Sequence, residues 1–272
     1  MHRWRIGEVE VVRIEDVDFA MPAASALPGW TVPELAPSVD EHRVAFSALA
    51  IRDGGTTIVV DPWLQAERGA DDAAATADRL LGALADAGVP ADEVDLVVYS
   101  HLEGLGWGTR PDGAGWALSF PHATYLFPSD EVDAARRGVE LPGLEDFRVL
   151  DGLTAIEPVA SPRPLGGSTT VVPTGGHSEG HAVVRIESDG ELAIYLGHLV
   201  IHPVQLVEPG VHELEAFSAE AADARGPLLA ELADRGGVVL TTLVGGPGGG
   251  AVRSDGNGFR VEPAHLAPDA AG

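Results

Sequence analysis

Asp61, His101, Glu103, His177 and His198 each stand at or just past the end of an apolar run that reads as a β-strand, at residues 58–60, 95–99, 170–172 and 192–196. Strand ends are where α/β folds place their sites. Imidazoles and carboxylates at such positions can act as acids and bases or as ligands for a first-row metal. A lone histidine is ordinarily a satisfied structural residue, but three at equivalent strand ends point to a shared task. The chain has no cysteine, which excludes thiol nucleophiles, disulfides, iron–sulfur clusters and thiolate zinc sites. Any metal must therefore be held by His, Asp, Glu or backbone. Every one of the 17 basic residues is Arg, so a Schiff-base lysine and a Walker-type phosphate lysine are excluded as well.

A second pattern, Gly176-His177-Ser178-Glu179-Gly180, fits the G-x-S-x-G nucleophile elbow, which needs a strand before it and a helix after it. The residues that follow, 182–186, alternate apolar and polar and read as a strand. A Ser178 nucleophile is therefore disfavoured.

The elements that must position these residues are legible from periodicity. Residues 9–14 read as an edge strand, and 44–51 with 56–60 as a hairpin across Asp53-Gly54-Gly55. Residues 73–87 carry Leu80, Leu81 and Leu84 at helical spacing and stop at Gly88, ahead of the strand at 95–99. Strand, helix and strand make a βαβ unit with parallel neighbours. A strand at 123–127 and a short helix at 130–137 follow. The second half repeats the style, with strands at 170–172, 182–186 and 192–196, a helix at 219–233, a buried strand at 238–242 and a last hairpin around 255–258. Residues 21–39 hold four prolines and are expected to be irregular, a candidate lid loop, and residues 266–272 are expected to fray. Strands interleaved with surface helices and no composition shift indicate one layered α/β domain over 1–265.

The 272 residues, 45% hydrophobic with a mean hydropathy of +0.09, suffice for a sizeable core. Acidic residues outnumber basic ones 42 to 17, giving a formal charge of −25. Such a chain repels phosphate backbones and anionic lipid, so nucleic acid and membrane are not expected as partners. The charged residues Glu8, Glu10, Arg13 and Glu15 break the apolar stretch after the N-terminus, so no signal-peptide core is read there. No apolar run approaches the roughly 20 residues of a membrane helix. A cytoplasmic protein acting on a small molecule is the expectation, and the oligomeric state is left open.

The sequence resembles the metallo-β-lactamase-fold hydrolases along most of its length. Ile58-Val59-Val60-Asp61 looks like the family's strand with its following Asp, and residues 89–102, ending Tyr99-Ser100-His101-Leu102, look like its approach to the metal motif. Pro173-Thr174-Gly175-Gly176-His177-Ser178-Glu179-Gly180-His181 is similar to its second metal loop. Tyr195-Leu196-Gly197-His198 is similar to the strand end carrying its bridging Asp. The resemblance implies a four-layer αββα sandwich.

The departures are informative. Where the family reads His-x-His-x-Asp-His, this chain reads His101-Leu102-Glu103-Gly104-Leu105-Gly106-Trp107; the bridging Asp is His198, and the terminal His falls on Leu243. By resemblance, the second metal loses its ligands, whereas the first keeps His101 and His177 and gains Glu103 and His198. This implies a remodelled one-metal site, His101, Glu103, His177 and His198, for one divalent metal, with zinc preferred and iron the alternative. Such a site would activate water or polarise a carbonyl, with hydrolysis of a small ester or lactone as the first expectation. A mononuclear iron oxygenase, a Lewis-acid lyase or isomerase, a closed structural zinc site and a metal-free binding protein are the alternatives. Asp61 is expected to orient a ligand histidine, and His181 and His202 to move protons at the site. Trp30, Trp63, Trp107 and Trp116 are expected either to line an apolar pocket or simply to pack.

Overall fold

A computed structural model of the chain describes residues 1–22, 41–62, 70–103, 106–113, 115–139, 144–211, 218–256 and 258–262. Two sheets of seven strands each form its centre. The first has the order β1-β2-β3-β4-β5-β8-β9 and the second β10-β11-β12-β13-β14-β15-β16. In the first sheet, β1 (His2–Ile6), β2 (Val9–Pro22), β3 (Glu41–Asp53) and β4 (Thr56–Val60) form an antiparallel meander. Then β4 pairs in parallel with β5 (Leu96–Val98), β5 with β8 (Thr124–Pro128), and β8 with β9 (Ile156–Val159). A separate hairpin, β6 (Thr109–Asp112) with β7 (Gly115–Leu118), stands beside it.

The second sheet comprises β10 (Arg163–Pro164), β11 (Thr169–Pro173), β12 (Ala182–Ser188), β13 (Glu191–Tyr195), β14 (Val238–Leu240), β15 (Gly249–Asp255) and β16 (Gly258–Glu262). Its one parallel pair is β13 with β14. Among the described residues five α-helices accompany the sheets: α1 (Ala70–Asp86), α2 (Ser129–Arg136), α3 (Leu144–Leu153), the single turn α4 (Val204–Val207) and α5 (Ser218–Arg235).

The period of two along the strands sorts side chains into layers. On the inner faces, Val9, Val11, Ile58, Val60 and Val98 meet Val184, Ile186, Ala193, Tyr195 and Leu240 in one cluster between the sheets. On the outer face of the first sheet, Val12, Ile14, Val59 and Val97 pack with Leu80 and Leu84 of α1, Val132 of α2 and Phe147 of α3. On the outer face of the second, Val183, Ile194 and Val239 pack with Ala221, Leu229 and Leu232 of α5. The result is the expected αββα sandwich. Strands β4, β5 and β13 are covered on both faces, which explains their near-continuous apolar sequences.

The expected elements recur with shifted bounds. The strand expected as an edge at 9–14 is instead flanked by β1 and β3, and it continues to Pro22 because its ladder with β3 resumes after a register shift between Glu15 and Val17. Met21 and Pro22 thus belong to β2, while 23–40, most of the candidate lid loop, and the tail 266–272 lie outside the described residues. Among the described residues no helix is long and apolar enough to cross a membrane.

Candidate metal centre

The ligand-type residues come together where β4, β5, β11 and β13 end. His101 lies just past β5, and Glu103 two residues on. His177 sits in the loop from β11 to β12, and His198 in the 3-10 turn Gly197–Leu199 after β13. One potential ligand atom from each of the four lies within 4.8 Å of all the others, the one such group among the described residues. His101 Nε2 and His198 Nδ1 converge on the same oxygen, Glu103 Oε2, at 3.1 and 2.7 Å. The His177 ring stands edge-on to both other imidazoles, with centroids 4.7 Å from His101 and 5.1 Å from His198. Two of the four residues come from each sheet.

A buried carboxylate sets the orientation of His101. Asp61 has no exposed surface and accepts three hydrogen bonds, from Ser100 N–H at 2.7 Å, Ser100 Oγ–H at 2.6 Å and Tyr195 Oη–H at 2.8 Å. Its backbone is left-handed, with φ 46°, a conformation that costs a non-glycine residue roughly 1–2 kcal/mol and that Asp tolerates better than most. Burial first, and then the Asp61 charge, push the Tyr195 phenol well above its usual pKa, so it stays a donor. Ser100 gives its only hydroxyl proton to Asp61, so the contact of 3.0 Å between Ser100 Oγ and His101 Nδ1 must carry the imidazole's proton. That tautomer leaves the lone pair of His101 on Nε2, facing the carboxylate. Asp61 therefore reaches His101 through Ser100.

The electrostatics suit a cation. Burial, reinforced by His198, lowers the His101 pKa, although Glu103 opposes the shift. Burial, with the neighbouring His101 and His198, pushes His177 well below the imidazole range. Burial works to raise Glu103, but the neighbouring His101 and His198 outweigh it and hold the group well below the usual carboxylate range. His177 Nδ1 is buried and makes no hydrogen bond. Three imidazoles, one carboxylate and an orphaned ring nitrogen on His177 make a donor set suited to a divalent first-row cation.

The remaining expected residues fall in different places. His181 is fully buried, its ring 5.4 Å from His101 and 6.1 Å from His177, and its Nε2 makes no hydrogen bond. A side chain on Gly197, whose φ is +53°, would come within 2.8 Å of that nitrogen and 2.9 Å of Ser100 Oγ, so only glycine lets this turn pass so close. His202 is 1% exposed and fixed by its own turn: its N–H donates to Gln205 Oε1, and its Nδ1 accepts from Val204 N–H. Both rings are buried, so neither presents a surface of its own. Trp107 is buried. It is 1% exposed and packs in the core with Phe120, centroids 5.6 Å apart, so it lines no open pocket. Trp116 lies exposed on β7. Trp30 and Trp63 lie outside the described residues. Strand β12, not a helix, follows Ser178, so the nucleophile-elbow context is absent.

The sequence alone assigns no role to Ser100, Tyr195 or Arg225. Ser100 had one signal, its place directly before His101. Arg225 of α5 has no exposed surface and donates to the carbonyls of Leu199, Pro209 (3.0 Å) and Val211 (2.6 Å), tying down the segment after His198.

Solved structures share this fold. No family model and no curated protein sequence matches the chain. The quorum-quenching lactonase AidC, a dizinc enzyme solved with a product, is 19% identical over 97% of both chains, with a TM-score of 0.78. The hydrolase AbOPH of the β-lactamase superfamily is 19% identical over 98% of both, with a TM-score of 0.73. An N-acyl homoserine lactone hydrolase with N-hexanoyl-L-homoserine at its catalytic metal centre is 13% identical over 88% of this chain and 94% of its own, at 0.64. The protein has the metallo-β-lactamase fold, and its candidate metal centre lies where the strand ends of the two sheets meet.

Proposed function

We propose that this protein is a metal-dependent hydrolase of small esters or lactones, working with a single divalent cation, zinc in preference to iron. The observation that carries the reading is the convergence of His101, Glu103, His177 and His198 within 4.8 Å, with no second such group among the described residues. These four residues would hold the cation, which would polarise a carbonyl and bring the pKa of a bound water to about 7. Asp61 and Ser100 fix His101 in the tautomer that offers Nε2. Glu103 has 43% of its side chain exposed, against 2% for His101 and 7% for His198, so substrate and solvent reach the group on its side. The leaving group takes its proton from that solvent. The lactone named with the related structures supports the substrate class, and a surface charge of −25 favours neutral substrates over anions.

Plasma mass spectrometry of protein purified without chelators, beside a His101→Ala, His177→Ala double variant, tests the reading. About one zinc per chain that disappears in the variant, together with hydrolysis of an N-acyl homoserine lactone or a phenyl ester that disappears with it, is the expected result. Absence of metal even after reconstitution sinks the reading, and iron in place of zinc moves the chemistry toward oxygen.

A further inference from the structure

Glu131 is an acid in the first turn of α2, on the outer face of the first sheet, and it is only 3% exposed. Its two oxygens go to two different loops. Oε1 accepts from Gly180 N–H at 3.0 Å, and Oε2 from Leu102 N–H at 3.4 Å. Leu102 lies between His101 and Glu103, while Gly180 lies three residues after His177 and directly before His181. One carboxylate thus spans the two loops that carry three of the four converging residues. Burying a charge is expensive, and an apolar side chain would fill the same space at lower cost. What the carboxylate adds is a fixed separation between two backbones that belong to different sheets.

Gly180 belongs to the same device. A Cβ there would lie 2.8 Å from Glu131 Cγ and 2.9 Å from the Glu131 backbone nitrogen, and backbone cannot give way. Any side chain at 180 would push the loop off α2. The glycine in Gly176-His177-Ser178-Glu179-Gly180 is needed for this approach, and a nucleophile elbow is not required to account for it.

We infer that Glu131, seated against Gly180, is a positioning residue that clamps the His101–Glu103 loop to the His177 loop and so sets the geometry of the metal centre. The inference rests on the reading of His101, Glu103, His177 and His198 as one cation site. A merely structural role would cost stability and leave cation affinity alone, and this difference decides the test.

The probe is cobalt(II), titrated into metal-free wild type, Glu131→Gln, Gly180→Ala and Leu80→Ala, with visible absorption and thermal melting read on each. A glutamine at 131 can satisfy only one of the two N–H donors and turns its own NH2 on the other. Gly180→Ala opens the clamp from the opposite side with the carboxylate intact, so either variant carries the test if the other fails to fold. Leu80→Ala, in α1 and outside the centre, supplies a loss of stability without a loss of clamp. Expected are a cobalt affinity about 10- to 100-fold weaker and an altered spectrum in both clamp variants, with Leu80→Ala within about threefold of wild type. Wild-type affinity and spectrum in the clamp variants overturn the clamp and leave the cation site standing, as does an equal weakening in Leu80→Ala. Failure of the wild type to bind cobalt overturns both.

Discussion

At the scale of single residues, the group most tightly constrained is the Asp61 carboxylate, which meets Ser100 from its own sheet and Tyr195 from the other. Replacing one oxygen by an amide turns a donor toward a donor at a side chain with no exposed surface. Asp61→Asn should therefore lower unfolding free energy by about 3 kcal/mol in urea titrations of the metal-free protein. A loss below about 1 kcal/mol would mean that the three hydrogen bonds are not all made in solution. The residues meeting at the centre were legible because each is polar and ends a run that is otherwise apolar, an arrangement with a cost unless the residue has a task. Glu131 was not legible, since an acid in the first turn of a helix is commonplace on solvent-facing surfaces. Only the packing of α2 against the loops shows that it faces inward. The burial of His181, His202 and Trp107 was equally hidden, because a strand-to-loop position in the sequence does not say which way a ring turns.

At the scale of elements, the strands buried on both faces were legible, whereas the hairpin of β6 and β7 was not. Residues 96–98 and 192–195 are nearly all apolar, whereas β6 and β7 carry Arg110, Pro111, Asp112 and Gly115 and look like turn. Their pairing depends on packing beside α1 and α3, a tertiary influence that local propensity does not contain. Helix α5 shows how an element is fixed to its sheet beyond apolar contact. Arg185 of β12 reaches Glu231 through both guanidinium nitrogens, each 2.7 Å from a carboxylate oxygen. The Arg185 hydrogen bond and charge lower the Glu231 pKa against the opposing effect of burial. A carboxylate with a lowered folded pKa stabilises fully above its unfolded value, here 4.5, and the contribution fades as pH falls through the folded value. A double-mutant cycle with Arg185→Ala and Glu231→Gln should give a coupling of about 0.5–1 kcal/mol at pH 7, since both side chains are partly solvated. The coupling should shrink toward pH 3, and a pH-independent value would assign the docking to packing alone.

At the scale of the whole molecule, a charge of −25 on 272 residues means that folding gathers like charges together. Raising salt from 0.1 to 1 M shortens the screening length from about 10 to about 3 Å and should raise the melting temperature by a few degrees. A melting temperature that falls with sodium chloride would show instead that attractive pairs such as Arg185–Glu231 dominate. The sheets are joined near both ends of β4, by Asp53, which accepts from Ser168 and Thr169 N–H at 2.7 Å, and by Asp61 with Tyr195.

Every strand of the first sheet lies within residues 2–159, and every strand of the second within 163–262. His101 and Glu103 are thus encoded in one half of the chain, and His177 and His198 in the other. Neither half alone offers a cation more than a pair of donors. The centre exists only as a conjunction, so an ion held there would certify that both halves have folded and found each other, which neither half could report by itself.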